Sequence, residues 1–122
     1  MTLNTHKYFS ATVAFLAWGI WTYFINIESD NNLTSAIAQG LFSAVITLLM
    51  VYLVEFFYNL FPSKQIYFVL PAIFTVSITA SIVVAMHVYI NTYDIFNTVF
   101  PTVIVSFLFA LYTTHAVKRL KV

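Results

Sequence analysis

The spacing of its apolar runs constrains this chain more than any other feature. Residues 8–27, 35–61, 67–91 and 95–116 are almost unbroken in hydrophobic side chains, with only short polar stretches between them. A helix rises 1.5 Å per residue, so about 20 residues cross the roughly 30 Å hydrocarbon core of a bilayer. Each run reaches that length. Because the four account for nearly the whole chain, residues 1–122 are expected to form one all-α domain, an antiparallel bundle of four transmembrane helices with no soluble part. Composition agrees: 61% of the residues are hydrophobic and 7% charged, whereas soluble domains carry about 25% charged residues.

Charge sets the expected orientation. In a four-span arrangement Lys7, Lys64, Lys118, Arg119 and Lys121 fall on one side, and Glu28, Asp30 and Asp94 on the other. The positive-inside rule then puts both termini in the cytoplasm of a cell whose plasma membrane, in a bacterium the inner membrane, holds the protein. The start of the chain has the basic residue and apolar core of a signal peptide but lacks a small-residue cleavage site, so it is read as a retained first helix. Trp18, Trp21, Tyr23 and Phe24 cluster toward the exit of that helix, where amphipathic rings favour the headgroup layer.

Within the second run, Ser35, Gln39, Ser43 and Thr47 step by four beside a file of small residues, Ala36, Gly40 and Ala44. Such files are ridges along which another helix can approach closely and form hydrogen bonds. The third run carries Ser77, Ser81 and Ala85 beside Thr75 and Thr79, and the fourth carries Thr98, Thr102, Ser106 and Ala110. Helices 2 and 3 are therefore expected to make the closest contact. Thr34 and Asp94 are the expected N-caps of helices 2 and 4, Pro62 ends helix 2, and Pro71 and Pro101 lie in the early turns of helices 3 and 4. Tyr23-Phe24-Ile25-Asn26 before Asp30 echoes Val88-Tyr89-Ile90-Asn91 before Asp94, which suggests a parallel two-helix repeat.

Two groups of residues could carry chemistry. At the acidic boundary, Asn26, Gln39, Ser43, His87 and Asn91 form the expected outer polar site, with His87 the one side chain there that titrates near neutral pH. They read either as inter-helix hydrogen bonds worth about 0.6–2 kcal/mol each or as a vestibule open to the outside. In both readings Gln39, deep in its helix, needs a partner among Asn26, His87 and Asn91. At the basic boundary, Glu55, His115 and Arg119 form the expected inner ionisable site, where Glu55 is either half of a salt bridge or a proton or cation carrier. His6 and His115 could share a depth, the minimum for a bis-histidine haem.

No nucleophile elbow, glycine-rich phosphate loop or histidine pair at metal-ligand spacing occurs, and there is no cysteine. No enzyme activity, cofactor, metal or nucleic-acid partner is expected. Helix 1 has no carboxylate at its middle, as small multidrug transporters do, and the single arginine, Arg119, cannot supply the arginine patterns of fluoride channels. The favoured function is transport or permeation of a small solute or lipid by an oligomer. The alternative is a non-transporting accessory or assembly subunit of a larger membrane complex. The expected partners are membrane lipid and either further copies of the chain or that complex.

Overall fold

A computed structural model describes residues 2–61 and 69–120. Pro62, Lys64 and Lys121, which enter the expected helix end and charge pattern, lie outside the described residues. The chain forms α1 (Leu3–Ile25), α2 (Asn32–Leu60), α3 (Leu70–Tyr89) and α4 (Ile95–Leu120), with no strand among the described residues. All four helices are long and apolar enough to cross a membrane.

Helix ends follow local hydrogen bonding. α1 begins ahead of its apolar run because the Thr2 hydroxyl accepts from the Thr5 N–H at 3.1 Å, so the polar leading residues join the helix. α2 begins before Thr34, so Thr34 is not its cap; Asn31 holds that position without a side-chain capping bond. The Asn31 amide is engaged elsewhere. It donates to the Ile90 and Asn91 carbonyls, both at 3.2 Å, and so ties the start of α2 to the end of α3. Pro71 sits in the first turn of α3, where no backbone donor is needed. Past α3 the chain reverses at Asn91, whose φ of 59° is the left-handed conformation that asparagine tolerates better than most residues. Asp94 does cap α4, its carboxylate accepting from the Asn97 N–H at 3.2 Å and the Asn97 side-chain amide at 2.9 Å.

The closest helix pair is α1 with α2, not α2 with α3 as the small-residue ridges suggest. Glycine is the reason. Gly19 on α1 and Gly40 on α2 lie against each other's backbones: a Cβ added at Gly40 would come within 3.0 Å of the Phe15 carbonyl, and one at Gly19 within 3.4 Å of the Ala36 carbonyl. The Ala36–Gly40 face therefore meets α1. The ridge of Ser77, Ser81 and Ala85 points away from the bundle rather than toward α2. Its hydroxyls need no second helix, since Ser77 donates to the Ile73 carbonyl and Ser81 to the Ser77 carbonyl, each at 2.8 Å. It is Thr75 and Thr79 that face inward.

Around the bundle α1 touches α2 and α4, α3 touches the same two helices, and α2 and α4 meet across the middle. Among the described residues α1 and α3 do not approach each other. The apolar core comprises Ile46, Met50 and Val54 of α2, Ala72, Val76 and Val83 of α3, and Val99, Ala110 and Val117 of α4. None of these comes from α1. That helix is held instead by the glycine crossing and by polar clasps to α4 near both of its ends.

Candidate functional site

At the end of the bundle that carries the acidic loops, Gln39 of α2 and His87 of α3 meet in the interior, both buried. An amide oxygen only accepts, so the contact between His87 Nε2 and Gln39 Oε1 places the ring proton on Nε2. Nδ1 of the neutral ring then accepts from the Thr92 hydroxyl at 2.6 Å. Thr92 in turn accepts from Ser35 at 3.2 Å. On the other side the Gln39 amide donates to Ser43 Oγ at 2.7 Å. The result is one directed chain, Ser35 to Thr92 to His87 to Gln39 to Ser43, that joins α2, α3 and the turn after α3.

Asn26 belongs to a second network, between α1 and α4. Its amide donates to Thr98 Oγ1 at 2.8 Å and to the Thr22 carbonyl at 3.0 Å, while its oxygen accepts from the Asp94 N–H at 2.8 Å. Beside it the Trp21 indole donates to the Asn97 carbonyl at 3.3 Å. That carbonyl is available because residue 101, whose N–H would ordinarily bind it, is proline. Asn91 joins neither network. Its side chain is exposed, and Thr92, which the sequence did not single out, occupies the interior position. The echo between Asn26 and Asn91 thus has no counterpart in their surroundings.

Of the two expected readings, inter-helix hydrogen bonds or an outward-open vestibule, these side chains fit the first: they form a closed cluster in which Asn26, Thr98 and His87 are wholly inaccessible and Gln39 nearly so. Deeper in the bundle, Thr47, Thr75, Thr79 and Thr102 continue the polar interior. A cavity of about 20 Å³ lies beside Thr79, Thr102 and Ser106, enough for one water molecule, which needs at least about 10–15 Å³. Two buried hydroxyls, Thr22 Oγ1 and Thr75 Oγ1, have no hydrogen-bond partner among the described residues.

At the end that carries the chain termini, the three residues of the expected ionisable site are not gathered in the interior. Glu55 is half-buried on α2, whereas His115 and Arg119 are exposed on α4. The buried stripe of α4 runs through Thr113, Thr114 and Val117 and leaves His115 on the opposite face. The interior histidine here is His6 of α1. It bonds Thr113 Oγ1 through Nε2 at 3.1 Å, stacks on Phe109 with ring centres 5.3 Å apart, and tilts against Tyr112. With His6 buried and His115 exposed, the two do not share a haem-ligating position. Among the described residues no group of three or more His, Cys, Asp or Glu side chains could hold a metal.

Three comparisons, with protein-family models, with curated proteins and with solved structures, find no match to this chain.

Proposed function

We propose that the protein is an integral membrane transporter or channel subunit that moves a small, uncharged, hydrogen-bonding solute, with its acidic loops outside the cell and its termini in the cytoplasm. One observation carries this reading. Among the described residues fifteen polar side chains are buried beside fourteen hydrophobic ones and Pro71, while the exterior is lined with large hydrophobics such as Leu16, Ile20, Leu41, Tyr52, Phe100 and Leu108. In lipid a bundle gains little hydrophobic driving force from an apolar core, and a polar interior is costly unless it is satisfied. Such an interior running between the two ends of a bundle suits a polar solute that exchanges hydrogen bonds with serine, threonine and amide groups.

The chemistry of the interior favours an uncharged permeant. Among the described residues all the buried polar side chains are Ser, Thr, Asn, Gln or His, with no Asp, Glu, Lys or Arg among them. No fixed charge there would offset a buried ion. The closed Gln39–His87 chain is then the occluded end of the path, and it opens when its hydrogen bonds pass to the solute. A single bundle encloses little space, so the working unit is an oligomer.

Reconstitution into liposomes tests the proposal. Osmotic swelling in a panel of uncharged solutes should be faster than in protein-free liposomes for at least one member and should fall to the protein-free rate in Gln39→Leu. Swelling at the protein-free rate for every solute, with the protein folded and monodisperse, would end it. A second reading, an accessory subunit, draws on α1. This helix contributes no residue to the main apolar cluster, burying only Ala11 among its described hydrophobic side chains, and exposes Phe9, Leu16, Ile20 and Phe24 along its length.

A further inference from the structure

Between its two clasps, α1 parts from α4. Near the acidic end the helices are joined by Trp21 to the Asn97 carbonyl and by Asn26 to Thr98, and near the other end by His6 to Thr113. In the interval lies a cleft of about 240 Å³ that opens sideways on the apolar surface of the bundle. Phe9, Trp18 and Phe109 form aromatic walls, and Thr47 and Met50 of α2 contribute to its lining. A cavity of about 150 Å³ suffices for benzene. The cleft is large enough for a single ring with a short substituent.

Two hydroxyls distinguish this cleft from an ordinary furrow between helices. Elsewhere on the outer surface, Thr12, Ser77 and Ser81 fold back onto carbonyls of their own helices at 2.8–3.1 Å. That is the usual way for a hydroxyl in an apolar setting to satisfy itself. Ser10 of α1 and Ser106 of α4 both line the cleft, are half-buried, and make no hydrogen bond among the described residues. Thr47 donates to the Ser43 carbonyl at 2.6 Å and so keeps only its oxygen lone pairs for a ligand. Charge is absent from the lining. The nearest basic residue in sequence, Lys7, places its ammonium over the Tyr8 ring at 5.0 Å.

We infer that the α1–α4 cleft is a binding site for a small, neutral, lipid-soluble aromatic molecule bearing one hydrogen-bonding oxygen, which enters sideways from the membrane. The ring packs among Phe9, Trp18 and Phe109. The oxygen accepts from Ser10 or Ser106, and a hydroxyl form also donates to Thr47. The site is distinct from the Gln39–His87 chain and does not depend on solute transport.

The test is equilibrium dialysis of 4-propylphenol into phosphatidylcholine nanodiscs with and without the protein. Saturable binding above that of empty nanodiscs is expected. Ser10→Ala or Ser106→Ala, whichever serine donates to the oxygen, should weaken it by about fivefold to tenfold, the loss of one hydrogen bond. Ser77→Ala, whose hydroxyl is satisfied by its own helix, should leave it unchanged. Ala14→Trp, placed to fill the cleft, should remove it; should that variant fail to fold, the two serine variants decide. Excess binding that never saturates, equal binding of propylbenzene, or binding indifferent to both cleft serines would overturn the inference, the last two showing that the cleft accepts any acyl or aryl chain.

Discussion

Gln39 and His87, 48 residues apart, hold each other by their side chains in the bundle interior, the amide oxygen of one accepting from the imidazole of the other. The pair fixes the register of α2 against α3 and is the middle link of a chain that starts at Ser35 and ends at Ser43. Replacing Gln39 by leucine leaves the His87 Nε2–H buried without an acceptor. The expected loss is about 1–2 kcal/mol of stability. Unfolding in mixed micelles measures it, and a double-mutant cycle with His87→Leu should show the two losses to be less than additive.

The glycine crossing gives an asymmetric prediction. An alanine at 40 would place its Cβ 3.0 Å from the Phe15 backbone carbonyl, which cannot yield as a side chain can, whereas at 19 the nearest atom is 3.4 Å away. Gly40→Ala should therefore cost about 1–3 kcal/mol by forcing α1 outward, and Gly19→Ala clearly less. Comparing the two by micellar unfolding checks the packing; equal costs would contradict it.

Pro101 and Trp21 should be coupled. With proline at 101 the Asn97 carbonyl is free for the indole, so Trp21→Phe should cost about 0.5–1.5 kcal/mol. In a Pro101→Ala background the helix regains its own donor, and the same tryptophan substitution should cost less. Stability of the four proteins in a cycle decides this.

Orientation can be read by labelling. Cysteines introduced singly at Asp30 and Lys118, both exposed, should react with an impermeant maleimide from opposite sides, Asp30→Cys from outside intact cells and Lys118→Cys only after permeabilisation. Reaction of both from outside would contradict cytoplasmic termini.

The sequence made the four helices legible because a span of about 20 apolar residues has few alternatives. It also made the Asp94 cap and the need of Gln39 for a partner legible, since each follows from the cost of an unpaired polar group. Helix pairing was not legible in the same way. A ridge such as Ala36–Gly40 permits close approach without naming the partner, and the missing clue was the only other glycine, Gly19. Ser77 and Ser81 misled for a related reason, because a serine hydroxyl can be satisfied by its own helix and so face outward. At the polar clusters the errors were of one residue or one face. The left-handed turn at Asn91 puts Thr92 inside in its place, and the helical stripe that buries Thr113 and Val117 turns His115 out. His6 was visible as a titratable residue near the chain start, but its burial depends on α1 beginning before its apolar run.

The most direct test of a solute path through the polar interior is the rate of osmotic swelling of proteoliposomes in uncharged solutes, compared among the native protein, Gln39→Leu and Ser77→Ala. Swelling faster than that of protein-free liposomes, lost in Gln39→Leu and kept in Ser77→Ala, is the predicted result. Native protein that is folded yet indistinguishable from protein-free liposomes for every solute would contradict it.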